Sequence, residues 1–423
     1  MFKKLFKKEV FSWALYDWAN SAFSTSIMAG FFPLFYKSYW NAGVDAAVST
    51  SRLGLTNSIA SIFIVISAPF LGALADEAGA KKKFLFVATL AGALLTAMLA
   101  LVGESQWLAS SILYAVAVYA FSVCVMYYDS ILPFVSKDDD VDFISGAGYA
   151  MGYLGGGILL LVNVIMFKDP EAYGLADKTQ AIKAAFVSVG LWWFLFSMPL
   201  FKFVKEPMEK KSKPIGQIFR GALKELNGTV KKILGMKNVL YFMLAYWLYI
   251  DGVHTIIKMA VDYGVSLGFQ TGDLITALLI VQFVGFPAGF FFGWLGQKWD
   301  VKKSILVGIG AYVIVIFWAL QMTTVKEFLM MATLIGLVQG CVQALSRSLF
   351  TRLIPKEHSG EFFGFYNLVG KAASVIGPSL VGLVTLYTGD NRLGISSLLI
   401  LLVAGGAILI LKVKNPERVQ ESL

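Results

Sequence analysis

The chain has 423 residues, of which 57% are apolar and only 15% are charged. Soluble domains are roughly 45–50% apolar and about 25% charged, so this composition excludes an ordinary water-soluble domain. The net charge of +9 does not indicate nucleic-acid binding, because most lysines and arginines lie at the chain ends and in alternate connections between apolar runs.

Apolar runs long enough to cross a bilayer recur along the whole chain. A spanning helix needs about 20 mostly apolar residues, and these continuous runs lack the alternation of barrel strands. The first run is too long and too polar for a cleaved signal sequence, so we expect it to be retained. The sequence predicts an all-α membrane protein with twelve transmembrane helices, at residues 12–36, 52–75, 84–103, 108–135, 143–167, 181–204, 238–265, 271–296, 304–323, 327–350, 361–387 and 392–412.

The basic residues indicate the orientation of these helices. They concentrate in the N-terminal tail, the even-to-odd connections, the central loop and the C-terminal tail. Cytoplasmic loops carry such an excess of Lys and Arg, so both termini are predicted to be cytoplasmic. Cys124 and Cys341 both fall inside predicted helices, where packing explains them better than a disulfide or a metal site.

The longest polar interruption, residues 205–237, separates a predicted N-terminal half (1–204) from a C-terminal half (238–423). Apolar residues recur in it at helical spacing, which favours an amphipathic helix on the cytoplasmic membrane surface. The segment is either a tether between the halves or a regulatory element. Its basic residues include Lys210, Lys211, Lys213, Arg220, Lys224, Lys231 and Lys232.

A repeat relates the two halves. Helices 1 and 7 share the spacing of a tryptophan, an aspartate, a polar residue and a hydroxyl, at Trp13, Asp17, Asn20 and Ser21 and at Trp247, Asp251, His254 and Thr255. The segment 72–83 after helix 2 recurs in degenerate form at 293–303 after helix 8, with Gln297 in the place of Asp76. A duplication of six helices fits both pairs, and duplicated transporters bind substrate where their repeats meet.

Several motifs resemble known transporters. Segment 72–83 resembles the signature loop between helices 2 and 3 of the major facilitator superfamily. Segments 13–23, 145–156 and 347–371 resemble the autophagy-related vacuolar amino-acid effluxers and their bacterial relatives. Helix 4 has Tyr127–Asp129 where many drug antiporters carry Arg followed by Gln-Gly, so a drug-antiport mechanism is not carried over. The resemblance implies two six-helix halves, alternating access and export of amino acids, in a bacterial inner membrane.

Ionisable side chains inside the predicted spans are the candidate functional residues, because charges at the bilayer centre are costly. Asp17, Asn20 and Ser24 are spaced to share one face of helix 1, and Asp251, His254 and Lys258 one face of helix 7. The resemblance implies that these faces border a central cavity. They either bind a polar substrate and exchange a proton, or form structural ion pairs and hydrogen bonds. Three neighbouring aromatic residues are candidates to line the pocket: Trp13, Tyr16 and Trp247.

Two further candidates concern proton coupling and substrate charge. His254 is suited to proton coupling, although a neutral hydrogen-bonding role fits it as well. Lys371 shares a predicted face of helix 11 with Asn367 and Ser374. It either binds a carboxylate or phosphate of the substrate or neutralises Asp251 or another buried acid.

Three residues are predicted to control opening. Asp129 and Arg347 lie at equivalent places near the cytoplasmic ends of helices 4 and 10, which suggests a gate that pairs when this side closes. Contacts with lipid headgroups or loops are the alternative. For Asp76 the resemblance implies a latch, in which the carboxylate caps a neighbouring helix N-terminus in one state. The glycines of helix 5 are expected to permit close helix packing, not to bind a dinucleotide.

These features predict a secondary active transporter of a small amino-acid-like solute, working by alternating access and proton-coupled export. We expect no enzymatic activity, no cofactor and no metal, since no nucleophile, metal-ligand cluster or Walker loop emerges from the sequence. The expected partners are the solute, protons and membrane lipids, with the protein a monomer that does not bind nucleic acid. An amphiphile or lysolipid flippase and a non-transporting receptor or scaffold remain alternatives.

Overall fold

The computed structural model describes residues 2–206, 215–372 and 376–415. Within them, eleven helices are long and apolar enough to cross a membrane. A twelfth, α1 (residues 8–40), precedes them and alternates α-helical and π-helical turns. The others are α2 (Ala46–Ala78), α3 (Lys81–Met98), α4 (Trp107–Val135), α5 (Val141–Lys168), α6 (Lys178–Phe203), α7 (Lys237–Ser266), α8 (Thr271–Lys298), α9 (Val301–Gln321), α10 (Val325–Leu353), α11 (Ser359–Ala372 and Ile376–Thr388) and α12 (Asn391–Ser396 and Leu398–Leu411).

The all-α fold is confirmed, and each of the twelve predicted spans overlaps one of these helices. One helix departs from regular α-helical geometry. The α-helical turns of α1 end at Ala22, and π-helical turns run from Phe23 to Phe31. Because Ser24 is only the second residue of the π-helical segment, its direction changes little relative to Asp17 and Asn20.

Local sequence explains several helix ends. Gly79 has a φ of +59° directly after α2, a conformation that glycine adopts without the penalty of a Cβ atom. The side chains of Asp177 and Thr324 accept hydrogen bonds from backbone N–H groups in the first turns of α6 and α10. These caps satisfy N–H groups that a helix cannot pair within itself.

The buried apolar side chains form two clusters, one drawn from residues 5–204 and the other from 233–413. Helix α5 packs along α8, and α2 packs along α11. We call these two helix–helix contacts the seams, and they join the two clusters. A Cβ atom at Gly146 would lie 2.5 Å from the carbonyl oxygen of Gly289, and one at Gly72 only 2.1 Å from that of Gly360. Glycine therefore permits both seams to close, as predicted for α5.

We call the end of the bundle at which α1 begins and α12 ends the linker face, and the opposite end the far face. The α2–α3, α4–α5, α8–α9 and α10–α11 connections also lie at the linker face. Asn238, at the start of α7, binds the backbone of Lys414 after α12, and Lys4 reaches Asp139 between α4 and α5.

The linker helix, Ile215–Gly235, lies at the same face and packs against α2, α7 and α11. It agrees with the helical period that the sequence predicted. Lys231 and Lys232 are exposed while Ile233 is buried, as an amphipathic helix requires. Lys210, Lys211 and Lys213 lie outside the described residues.

Candidate functional site

Arg347 of α10 is the centre of a buried polar cluster at the linker face. Only 2% of the residue is exposed. Its Nη1 donates to Asp129 Oδ1 at 2.8 Å, which joins α10 to α4. Its Nε and Nη2 each donate to Ser145 of α5, to the hydroxyl and to the backbone carbonyl, both at 2.9 Å. One guanidinium group thus holds two helices of the N-terminal half, and the predicted partners Asp129 and Arg347 lie together.

Asp17 of α1 belongs to the same cluster. Its Oδ2 lies 3.6 Å from Arg347 Nη1 and accepts a 2.9 Å hydrogen bond from the Tyr128 hydroxyl. A Cβ atom at Gly148 would come within 2.8 Å of this oxygen, so the glycine makes room for the carboxylate. Two carboxylates therefore face one guanidinium, and the three groups carry one net negative charge when all are ionised.

Aromatic rings enclose this cluster. The guanidinium carbon lies 4.4 Å from the ring centre of Tyr149 and 5.1 Å from that of Trp13. Trp13 stacks on Tyr128 at 4.4 Å, and Tyr16 stacks on the same ring at 5.1 Å. Because Trp13 and Tyr16 are completely buried, in this conformation they support Tyr128 and do not line a cavity.

A second ionic contact between the halves was missed by the sequence reasoning. Arg352, in the last turn of α10, contacts the carboxylate of Asp142 in the first turn of α5 at 2.7 Å. Ser348 donates to the same carboxylate at 2.6 Å. Opposite charges at the ends of helices 5 and 10 were the available signal, since both ends were predicted to lie at one membrane surface.

Asp76 caps the N-terminus of α11, as the family resemblance implied. Its Oδ1 accepts from the backbone N–H of Gly360 at 3.2 Å, and its Oδ2 from that of Glu361 at 2.8 Å. Lys81 lies 2.7 Å from the carboxylate and donates to the Ser359 hydroxyl at 2.5 Å. A negative charge at the positive end of a helix dipole is favourable, so the contact holds α2 against α11.

Asp251 caps a second helix segment and does not face Asp17. It is 1% exposed, and its Oδ2 accepts from the Gly377 N–H at 2.9 Å, at the start of Ile376–Thr388. Its Oδ1 accepts from the Thr255 hydroxyl at 3.3 Å. Among the described residues no contact joins Asp251 to Asp17, so the two aspartates related by the repeat serve different neighbours.

Basic side chains gather near Asp251. Lys258 is exposed, and His254 and Lys371 are partly exposed. His254 lies within electrostatic reach of both lysines, and Lys258 within reach of Asp251. Since charged groups at membrane depth are stable only where they meet water or a partner, we expect water or a ligand beside these lysines.

The remaining candidates are placed as follows. Asn367 donates to the backbone of Phe363 at 3.0 Å, and Ser374 lies outside the described residues. Asn20 is 2% exposed, and its amide nitrogen has no hydrogen-bond partner in the part of the chain that is described. Trp247 lines an apolar groove beside the linker helix, formed with Phe365 and other residues that do not include Asp251.

A cavity of about 210 Å³ lies between the halves on the far side of the Arg347 cluster. Helices α1, α5, α7, α8 and α10 line it, and Phe328 and Leu274 place it towards the far face, where α10 and α8 begin. Its polar lining includes Ser24, Gln282 and Gln339, whereas the other lining residues are mainly apolar. The linker face is thus closed by ionic contacts while the internal space lies towards the far face.

Comparisons with known proteins agree with this architecture. The chain matches the vacuole effluxer Atg22-like family over residues 42–142 and 137–421. It is 38% identical to the uncharacterised MFS-type transporter YxiO of Bacillus subtilis, over 96% of this chain and 95% of that protein. It is 23% identical to autophagy-related protein 22 of Candida glabrata, over 98% and 91% of the two chains.

Two solved structures share the fold. The proton:xylose symporter XylE superposes with a TM-score of 0.70 at 13% identity, covering 95% of each chain. The human organic anion transporter MFSD10 gives a TM-score of 0.67 at 12% identity, over 95% of this chain and 99% of that one. With the family match and the YxiO relationship, the chain belongs to the Atg22-like branch of the major facilitator superfamily of transporters.

Proposed function

We propose that this protein exports a small amino-acid-like solute from the cytoplasm by alternating access, in exchange for protons. The observation that carries the proposal is the Arg347 cluster. One arginine of the C-terminal half is held by Asp17, Asp129 and Ser145 of the other half, while a cavity lies on the opposite side. Separation of the halves at the linker face breaks these contacts and opens a path to the other side.

The orientation follows from charge. The linker face carries the N-terminal lysines and the basic even-to-odd connections, so we assign it to the cytoplasm of a bacterial cell. The described structure is then closed towards the cytoplasm. The effluxer description of the matching family supports the export direction.

The basic group near Asp251 supports a solute with a carboxylate. Lys258, Lys371 and His254 supply donors on the accessible side, and both oxygens of Asp251 already accept hydrogen bonds from Gly377 and Thr255. A carboxylate of the solute would pair with the lysines, as charge-assisted hydrogen bonds are about twice as strong as neutral ones. The negative charge of Asp251, which is 1% exposed, would attract the ammonium of a zwitterion without binding it directly.

Charge counting supports coupling to protons at the Arg347 cluster. In the closed state Arg347 offsets one of the two negative charges of Asp17 and Asp129. When the cytoplasmic side opens, the arginine leaves with the C-terminal half and both carboxylates remain in the N-terminal half. Two neighbouring carboxylates resist being charged together, so opening would favour a protonated cluster. For exchange, that proton would be taken up from the far side before opening and released to the cytoplasm before the face closes again.

The remaining ionic contacts fit a gating role. Asp76 would release the N-terminus of α11, and Asp142 would release Arg352, as the halves rotate apart. Each contact joins one half to the other at the same face. The closed state therefore depends on several contacts that break together, which favours two discrete conformations.

Uptake of a pooled, labelled amino-acid panel into proteoliposomes tests the proposal, with and without an imposed pH gradient. We expect gradient-dependent transport by the wild type and its loss in Asp251→Asn. Asp177→Asn is the matched control, because Asp177 caps α6 at an exposed position and asparagine caps as well. Absence of transport by well-folded wild type in both gradient directions would rule out this substrate class.

The cavity lining favours one alternative, an amphiphile or lysolipid flippase. Most residues around the cavity are apolar, including Leu160, Leu278 and Ile335. A lipid tail would find a matching surface there, with the headgroup near Lys258. Translocation of a fluorescent lysolipid in the same vesicles, lost in Lys258→Gln, distinguishes this function from amino-acid transport.

A further inference from the structure

An apolar groove of about 240 Å³ lies where the end of the linker helix meets α7 and α11. Two of its side chains, Leu234 and Leu244, are 60% and 40% exposed at the surface of the bundle. An apolar chain can therefore enter from the membrane without stripping water from polar groups. The lining is entirely apolar: Ile233, Leu234, Leu240, Met243, Leu244, Trp247, Phe365 and Val369.

Three exposed lysines adjoin this groove along the chain. Lys231 and Lys232 directly precede the lining residue Ile233, and Lys237 begins α7 three residues before Leu240. No acidic side chain of the described residues forms a salt bridge with them. Basic residues beside a membrane attract anionic lipids, each contributing favourably near the surface.

Trp247 marks the deeper part of the groove. It lies ten residues after Lys237, roughly 15 Å along the helix axis at 1.5 Å per residue. Its indole nitrogen is buried without a hydrogen-bond partner among the described residues. At that depth the groove would hold the acyl chain, because the headgroup and its ester groups lie near the lysines at the helix ends, so Trp247 reports on the chain.

We propose that this groove binds one anionic phospholipid from the leaflet at the linker face. One acyl chain lies between the linker helix and α7, and the headgroup pairs with Lys231, Lys232 and Lys237. The occupant is a lipid because the groove combines an apolar floor open to the membrane with cations at the face where headgroups lie.

The position of the linker helix gives the lipid a structural consequence. The helix contacts α2 as well as α7 and α11. At Gly221 it comes so close to α2 that a Cβ atom would lie 3.1 Å from the side chain of Glu77. A lipid that holds the end of the helix on the C-terminal half therefore connects both halves, and it stabilises the closed linker face.

Brominated lipids quench tryptophan fluorescence at short range and test this site without any transport assay. The protein is placed in phosphatidylcholine nanodiscs containing increasing fractions of phosphatidylglycerol or phosphatidylcholine with brominated acyl chains. Subtracting the signal of Trp247→Phe isolates the contribution of Trp247. We expect brominated phosphatidylglycerol to quench it at a roughly tenfold lower mole fraction than brominated phosphatidylcholine.

Charge variants supply the control. Lys231→Gln with Lys232→Gln and Lys237→Gln should abolish the preference while quenching by phosphatidylcholine persists, which also shows that the variant is folded. The control variant removes three positive charges elsewhere at the linker face, by Lys83→Gln, Lys298→Gln and Lys303→Gln. It should keep the preference for phosphatidylglycerol. The site would be refuted if both lipids quench Trp247 equally in the wild type, or if both triple variants lose the preference for phosphatidylglycerol to the same extent. Competition by soluble glycerol 3-phosphate would also count against it, since the acyl chain is part of the proposed contact.

Discussion

Neutralising Asp129 should open the linker face. In Asp129→Asn, Arg347 loses its 2.8 Å ionic partner and keeps Asp17 at 3.6 Å and the two hydrogen bonds to Ser145. Asp17 remains as the charge partner of Arg347, so the loss is that of one charge-assisted hydrogen bond, which is worth about 1.5–3 kcal/mol. We take the lower end, about 1.5 kcal/mol, because the asparagine oxygen can still accept a hydrogen bond.

This cost falls on the closed state alone, since Arg347 and Asp129 belong to different halves. Each 1.4 kcal/mol changes an equilibrium tenfold, so the closed-to-open ratio should fall roughly tenfold. Spin labels at Asp138→Cys and Lys356→Cys measure the change, because both positions are exposed at the linker face on opposite halves. The buried Cys124 and Cys341 would be replaced by alanine in this background.

The matched control is Asp139→Asn. Asp139 lies 3.0 Å from Lys4 with a side chain 67% exposed, and exposed ion pairs contribute about 0–1 kcal/mol. The label distances of this variant should match the parent at neutral pH, whereas those of Asp129→Asn should shift towards longer values. If Asp129→Asn keeps the parental distribution, the Arg347 cluster does not hold the face closed.

Three further predictions concern other contacts. Gly377→Ala should lower the thermal unfolding midpoint, because its Cβ atom would lie 2.1 Å from the Thr255 hydroxyl; an unchanged midpoint would contradict the cap by Asp251. Lys258→Gln should weaken binding of a carboxylate-bearing solute roughly tenfold in calorimetry, while binding of its methyl ester should not change. The hydrogen bond from Lys4 lowers the pKa of Asp139 from its ordinary value of 3.8. The pair therefore stabilises the folded state fully above pH 3.8, and this stabilisation is lost only as the pH falls through the lowered pKa. The difference in unfolding midpoint between the wild type and Asp139→Asn should be constant from about pH 5 to 8.

The sequence predicted the fold well because each span is a long apolar run, a signal that needs no tertiary information. It also indicated the pairing of Asp129 with Arg347, because the repeat related their positions. It could not show that Asp17 joins that pair, since this depends on the space that Gly148 leaves between α1 and α5. The sequence also could not show that the Gly377 N–H donates a hydrogen bond to Asp251, because this contact depends on how α7 and α11 pack together.

Trp13, Tyr16 and Trp247 show the limit of reasoning from spacing. All three lie within four residues of an aspartate, yet the first two are buried behind Tyr128 and the third faces the linker groove. Position along a helix fixes the side-chain direction only relative to that helix. The rotation of each helix in the bundle is set by packing against its neighbours.

The two seams between the halves achieve the same closure by different chemistry. At one seam Asp76 caps α11 with a full negative charge, whereas its counterpart Gln297 donates a neutral amide hydrogen bond to the backbone of Asp139 ahead of α5. A neutral donor cannot complement the positive end of the α5 dipole. Asp142, in the first turn of α5, supplies a negative charge there, and Arg352 binds it from the end of α10, where a positive charge is also favoured. The degenerate loop is thus compensated by a salt bridge on a neighbouring pair of helices, which explains how the linker face closes on both seams although only one carries the complete signature motif.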